Sequence, residues 1–195
     1  MTVASATRGR PRDPAVEDKI LDATITVYGE HGWSGFTLDA VARSAGVGRE
    51  ALYRRWSGKA ELLAAAVAAR SPVLGRVDTG NTRHDLEVLA RHFLASYREP
   101  HGIVGLRMVL DAKSVPELAE HFQVMTRGER GQQARQVIKR AIARGDLPAQ
   151  TSVSTVVAIL TGATLTHVLY GAASGHSAAA DERHVQSLIS LVLTE

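Results

Sequence analysis

Positively charged side chains are concentrated in one short stretch of the chain, between Arg43 and Lys59. This stretch holds five Lys or Arg against one acidic residue, Glu50, a local net charge of +4, whereas the whole 195-residue chain carries only +3. Guanidinium and ammonium groups at this density attract the phosphates of a nucleic acid, and an arginine can also donate twice to the edge of a guanine. The stretch is therefore a candidate nucleic-acid-binding surface.

Residues that could carry out catalysis or hold a cofactor form no comparable pattern. The chain has no cysteine, which excludes disulfides, thiolate zinc sites and cysteine nucleophiles. It contains no G-x-S-x-G, no phosphate-binding glycine loop and no H-E-x-x-H. Glu117, Glu120 and His121 share a helical face, but such a trio is common on solvated helices. We expect no enzyme activity, no metal and no cofactor.

Two short helices around a tight turn must position the basic residues. Thr37 is expected to cap the first helix through its hydroxyl, and Gly46 stands where the chain must leave that helix. The second helix is expected from about Gly48 to Trp56, with Leu52 and Trp56 facing inward. Its outward-facing residues are expected to be Arg49, Glu50, Tyr53, Arg54 and Arg55. This pattern is typical of a helix-turn-helix whose second helix enters a major groove.

The same residues give a specific resemblance. The run from Val47 to Trp56, V-G-R-E-A-L-Y-R-R-W, followed by Lys59 and Leu62-Leu63, resembles the DNA-binding domain of TetR-family transcriptional regulators. The matching region is about residues 14–70, with the helix-turn-helix at 37–56. The resemblance implies a sequence-specific regulator, by default a ligand-responsive repressor, that binds a palindromic operator in double-stranded DNA as a homodimer.

On DNA, Arg49 is expected to read a guanine by donating to N7 and O6. Glu50 would accept from a cytosine amino group or pair with a neighbouring arginine, and Arg54 would contact a base or a phosphate. Phosphate contacts that fix the register are expected from Thr37, Tyr53, Arg55 and Lys59. Asp39 stands where some family members have a basic residue, so no base contact is carried over to it.

Residues 1–13 have no hydrophobic period and are expected to form a disordered basic arm. Within it, Arg8 and Arg10 belong to an Arg-Gly-Arg-Pro stretch. A narrow A·T-rich minor groove attracts arginines of this kind. The alternative is a solvated tail with unspecific attraction to phosphates.

The rest of the chain is predicted to be helical as well. After a Gly-, Pro- and Asp-containing boundary, apolar residues recur at helical spacing from about residue 82 to 195, and no stretch alternates long enough to require a strand. The expected fold is all-α, with about nine helices in total, a DNA-binding domain at 14–70 and a ligand-binding and dimerisation domain at 82–195.

The resemblance implies an effector cavity and a dimer interface in this second part. The residues that could line the cavity are Phe93, Tyr97, Leu106, Leu110, Phe122, Met125, Leu160, Thr164 and His167. For each of them, packing in the core is the alternative. The dimer would form through the helices at Thr151–Tyr170 and Glu182–Thr194, which are more apolar than one buried face requires.

Composition and termini bear on location. Apolar residues make up 45% and charged residues 22%, as in ordinary globular proteins. No leader has the parts of a signal peptide, and the most apolar helix contains several Thr and a His, so we expect a cytoplasmic protein without a membrane span. Two alternatives stay open: a helical small-molecule-binding protein or enzyme without specific DNA binding, and an unspecific DNA-packaging protein.

Overall fold

The computed structural model describes residues 14–127, 129–171 and 177–193, and the side chains of these residues except 122–131. The described residues form ten helices and no strand. The helices are α1 Pro14–Gly35, α2 Leu38–Ala45, α3 Arg49–Tyr53, α4 Lys59–Arg70, α5 Thr82–Arg98, α6 Pro100–Asp111, α7 Pro116–Arg127, α8 Glu129–Arg144, α9 Val153–Gly171 and α10 Ala178–Leu193. The all-α prediction is confirmed. The described residues hold one helix more than the expected count of about nine.

Helix α1 bends near its end. Gly32 is buried and adopts φ 61°, a left-handed conformation that glycine tolerates better than any other residue. Helical structure resumes after it as far as Gly35. The bend directs the chain into Phe36, which is fully buried with its ring edge-on to Tyr28 at 5.5 Å. This pair holds the junction of α1 and α2.

The first hydrophobic core lies between α1, α2, α3 and α4. Its fully buried members include Ile20, Val41, Leu52 and Leu62, and each such side chain stabilises the fold by roughly 1.5–3 kcal/mol. Val104 and Met108 of α6 and Leu118 of α7 belong to the same core. The helices that carry the basic stretch are thus packed directly onto the helices that follow.

The second core lies between α5, α8, α9 and α10. Leu86, Leu89, Ile138, Leu160 and Ile189 are fully buried in it. The segment between α4 and α5, expected to be a plain boundary, also contributes Leu74 and Val77. It is held against α8 because Arg140 donates to the carbonyl oxygen of Val77 and forms an ion pair with Asp78 at 3.3 Å.

Helix α9 differs from the others in its exposure. Among the described residues it is the one helix long and apolar enough to cross a bilayer, but only 22% of its most apolar window is buried. One such helix is weak evidence for a membrane span, because a helix that packs against a partner subunit has the same composition.

Candidate nucleic-acid interface

The turn between α2 and α3 has the geometry expected of a helix-turn-helix. The Thr37 hydroxyl oxygen accepts a hydrogen bond from the amide of Ala40 at 3.1 Å and so caps α2. At the other end Gly46 is left-handed, with φ 66° and ψ 35°. The amide of Val47 donates to the carbonyl oxygen of Ala42 at 3.0 Å and closes the turn. These caps set the direction in which α3 leaves.

Helix α3 is held by its inner side and exposed on its outer side. Its regular part is shorter than predicted, but amides as far as Trp56, which donates to the Leu52 carbonyl at 3.0 Å, continue the helical hydrogen bonding. Leu52 and Trp56 are buried in the first core, as predicted. On the outer side Glu50 and Arg54 are exposed, and Tyr53 is 61% exposed. This surface can be inserted into a groove without unfolding anything.

Arg49, the expected base reader, is exposed but engaged in an ion pair. Its Nε lies 2.7 Å from Oδ1 of Asp39 on α2. One of the two roles expected for Glu50 was to pair with a neighbouring arginine, whereas the acid that pairs with Arg49 is Asp39. An arginine that contacts a guanine must share or leave this carboxylate.

Arg55 does not point outward, and that prediction is wrong. Its side chain is only 10% exposed. Nη1 donates to the carbonyl oxygen of Ala51 at 2.9 Å, and Nε lies 3.7 Å from a carboxylate oxygen of Glu17 on α1. The side chain folds back because it stands at the end of α3, where carbonyl groups lack amide partners and attract cations. Arg55 connects α3 to α1.

Lys59 also binds within the protein. Its Nζ donates to the carbonyl oxygens of Trp33 at 3.1 Å and of Phe36 at 3.2 Å, and lies 3.9 Å from the centre of the Trp33 ring. Trp33 is half-buried against the first core. An ammonium group has three donors, so one remains for a phosphate.

The residues predicted to line an effector cavity differ in their burial. Leu160 and Thr164 are fully buried core residues, and the Thr164 hydroxyl donates to the Leu160 carbonyl. Phe93 and Tyr97 are half-buried against the second core, and Leu106 is half-buried. Leu110 is 57% exposed.

His167, another predicted cavity residue, borders an open cavity of about 520 Å³ between α9 and α10. Its Nε2 lies 2.9 Å from Oδ1 of Asp181. The side chains of Phe122 and Met125 lie outside the described residues, as do Arg8 and Arg10 of the arm. No group of three His, Asp or Glu close enough to bind a metal occurs in the described part of the chain.

Contacts between α1 and α6 were missed by the sequence analysis. The Tyr28 hydroxyl donates to Oδ2 of Asp111 at 2.5 Å, and Arg107 donates to the carbonyl oxygen of Gly29 at 2.8 Å. Burial, and then the hydrogen bond to Asp111, raise the pKa of Tyr28. The Arg107 guanidinium fills the space beside the bend, since a Cβ on Gly32 would lie 2.1 Å from its Nη2. The glycines Gly29 and Gly32 in α1 were the only signal in the sequence.

Both halves of the chain match known families. Residues 20–66 match the family described as "Bacterial regulatory proteins, tetR family", and residues 76–189 match "Tetracyclin repressor-like, C-terminal domain". Together the two matches cover the helix-turn-helix and the helices of the second core.

Individual proteins agree with these matches. The chain is 31% identical over 165 residues to the HTH-type transcriptional regulator AqdR of Rhodococcus erythropolis, covering 84% of this chain and 78% of that protein. The crystal structure of the TetR family transcription regulator SCO0332 is 25% identical, with a TM-score of 0.60 over 91% of this chain and 96% of that one. The fatty acid degradation regulator FadR from Bacillus halodurans is 16% identical, with a TM-score of 0.71 over 90% and 97% of the chains, and supports the fold alone.

Proposed function

This chain belongs to the TetR family and is a DNA-binding transcriptional regulator, not an enzyme; from that premise we propose that it is a ligand-responsive repressor that binds a palindromic operator as a homodimer. The observation that supports this most directly is the exposed outer side of α3, which is fixed by capped turns and backed by a hydrophobic core.

The proposed division of roles on DNA follows the exposure of each side chain. Arg49 reads a guanine, Glu50 accepts from a cytosine amino group, and Arg54 contacts a base or a phosphate. Thr37 and Tyr53 contact phosphates from the two ends of the motif. Lys59 uses its third donor for a phosphate near the start of α4.

The Arg49–Asp39 ion pair is proposed to keep the free protein from binding DNA indiscriminately. A free arginine is attracted to any phosphate, whereas an arginine held at 2.7 Å from a carboxylate gains less from unspecific contact. A guanine that accepts two hydrogen bonds offsets the cost of leaving Asp39. Asp39 would therefore increase sequence preference without touching DNA.

The proposed dimer forms through α9 and α10. Four large apolar side chains of these helices are exposed: Ile159, Leu169, Tyr170 and Leu191. The first three lie on α9, which contains no Asp, Glu, Lys or Arg, so this exposed face has no charge to keep it solvated. Two copies related by a two-fold axis would present their α3 helices about one DNA turn apart.

Ligand response is proposed to act between a DNA-binding domain at 14–70 and a ligand-binding and dimerisation domain at 82–195. Val104, Met108 and Leu118 belong to the core of the first part, so movement in α6 or α7 reaches α1 and α4 directly. A ligand shifts the equilibrium only if it binds one arrangement better than the other. Half-buried Phe93, Tyr97 and Leu106 are proposed walls of an effector site, together with Phe122 and Met125.

Residues 1–13 are proposed to act as an arm whose Arg8 and Arg10 enter an A·T-rich minor groove.

The protein is proposed to act in the cytoplasm, where its DNA target lies.

Selection from a random pool of double-stranded DNA by the purified full-length chain tests the proposal. We expect an inverted repeat with half-sites about one helical turn apart. Enrichment of an asymmetric sequence would contradict the palindromic dimer, and no enrichment at physiological salt would contradict sequence-specific binding altogether.

A further inference from the structure

A groove of about 630 Å³ lies where α1, the end of α4 and the corner between α5 and α6 meet. This volume is in the range of small-molecule sites. Its apolar walls are Ile25, Pro72, Ala95 and Pro100. Ile25 belongs to the first core, whereas Ala95 follows Leu94 of the second core. The groove is thus shared between the two cores.

Carboxylates dominate the charge around this groove. Arg70 forms ion pairs with Asp22 at 2.6 Å and with Asp18 at 3.1 Å. Its single positive charge is therefore already shared by two carboxylates. Glu99 also lines the groove, is exposed and has no Lys or Arg within ion-pair distance among the described residues. Two carboxylates of the lining, those of Asp22 and Glu99, face the one guanidinium of Arg70. The groove is therefore negative overall and favours a cation.

His101 is a further residue that lines the groove. His101 is only 9% exposed, and its buried Nε2 has no hydrogen-bond partner in the described part of the chain. Burial lowers the pKa of His101 below its usual value, and the nearby Glu99 opposes this more weakly. The lowered pKa favours the uncharged form of the imidazole.

We propose that this groove binds an organic cation with an apolar body, whose charge lies beside Glu99 and whose apolar part packs against Ile25, Pro72 and Pro100. Burial of apolar surface favours binding of any apolar body of suitable size. The unpaired carboxylate of Glu99 attracts a cation and repels an anion, so it makes the groove selective for positively charged ligands. The site is separate from the walls proposed for Phe93, Tyr97 and Leu106.

Occupancy of this groove is coupled to DNA binding. The bound cation contacts α1 and α4, which support the helix-turn-helix, and also α5 and α6, which belong to the following helices. Its affinity therefore depends on the relative arrangement of the two cores, and by linkage its binding changes the affinity for DNA. This coupling rests on the proposed function, whereas binding of the cation does not.

Isothermal titration of the full-length chain with tetraphenylphosphonium tests binding. Tetraphenylborate, which has the same shape and the opposite charge, is the matched probe. We expect the phosphonium to bind once per protomer, and the borate at least about tenfold more weakly, the ratio that a difference of roughly 1.4 kcal/mol produces. Equal binding of the two ions, or no binding of the phosphonium, overturns the proposal.

Variants locate the site. Glu99→Gln is expected to weaken phosphonium binding about tenfold, and Ala95→Trp is expected to abolish it by filling the groove. Ala95 is exposed, so the larger side chain can be accommodated without disturbing a core. Glu120→Gln, which removes an exposed carboxylate from α7, is the control and leaves binding unchanged. Phosphonium binding that Glu99→Gln and Ala95→Trp leave intact overturns the assignment to this groove.

DNA selection separates this inference from the proposed function. If an inverted repeat is enriched but the phosphonium does not bind, the groove proposal fails and the regulator proposal stands. If the phosphonium binds with the expected variant pattern but no sequence is enriched, the regulator proposal fails and the groove proposal stands. Where both succeed, the affinity for the selected operator must change in the presence of the phosphonium, and an unchanged affinity overturns the coupling.

Discussion

Arg49 on α3 and Asp39 on α2 form an ion pair on the exposed side of the helix-turn-helix. Both residues were visible in the sequence, and the exposure of Arg49 followed from helical periodicity. Their ion pair did not, because it joins two helices whose angle is set by the left-handed Gly46 and the packing of Leu52. Sequence spacing gives the face on which a side chain lies but not its partner on another helix.

Removing Arg49 is expected to lower the discrimination between DNA sequences more than the overall affinity for DNA. In Arg49→Ala, the discrimination between the selected operator and the same operator with one guanine replaced should fall by about 1–3 kcal/mol. Competition titrations with the two DNAs at fixed salt measure it. Asp39→Asn is the companion variant, in which unspecific affinity should rise because Arg49 is released. Undiminished discrimination by Arg49→Ala would rule out its role as a base reader.

Lys59 is expected to contribute to stability as well as to DNA binding. Lys59→Ala removes two hydrogen bonds from a charged donor and leaves the carbonyls of Trp33 and Phe36 without it. The free energy of unfolding should fall by about 1–3 kcal/mol. Urea denaturation followed by circular dichroism measures this, with the exposed Lys19→Ala as control. Equal stability of the two variants would show that these contacts contribute nothing.

At the scale of elements, capping residues predicted the structure best. Thr37 and Gly46 gave both ends of α2, since a side-chain oxygen and a left-handed glycine act within a few residues of chain. Arg55 was predicted wrongly because helical periodicity ignores how far a long side chain can fold back. Arg107 and Asp111 were missed because their partners on α1 lie about 80 residues away in the chain.

The contact between α1 and α6 has a pH signature. The raised pKa of Tyr28 means that its hydroxyl stays protonated in the folded protein at a pH where it ionises in the unfolded chain. Its stabilising contribution is therefore complete below pH 10, the ordinary value, and is lost as the pH rises above that value.

Comparison with Tyr28→Phe measures this contribution. The variant lacks the hydrogen bond to Asp111 and should be less stable by about 0.5–1.5 kcal/mol at pH 8. The difference from the wild-type chain should shrink above pH 10, because only the wild-type chain carries the phenol. Urea denaturation at pH 8, 9, 10 and 11, buffers chosen to span this range, provides the test. A difference that grows with pH would contradict the assigned hydrogen bond.

At the scale of the whole molecule, the uncharged exposed face of α9 is the feature that a single chain leaves unexplained. Tyr170 on α9 and Leu191 on the neighbouring α10 are each 76% exposed. Such exposure is unfavourable for large apolar side chains unless a partner covers them. Hydrophobicity predicted this surplus from the sequence. Which residues are exposed depended on the packing of α9 against α5 and α10, which periodicity alone does not give.

Charges placed on this face are expected to separate the dimer. Leu169→Glu combined with Leu191→Glu should convert the chain to a monomer, measured by analytical ultracentrifugation, and should weaken operator binding because both half-sites must be held at once. Leu110→Glu, on the exposed side of α6, is the control and should leave the assembly state unchanged. A wild-type chain that sediments as a monomer would contradict the proposed interface.

The central claim is that α3 lies in the major groove in duplicate, with Arg49 at a guanine. Methylation of guanine N7 by dimethyl sulfate reports on that groove directly. On the selected operator, we predict protection at symmetric guanines in two half-sites, and in Arg49→Ala the loss of one protected guanine in each. Protection in a single half-site, no protection at N7, or a pattern unaffected by Arg49→Ala would contradict the account.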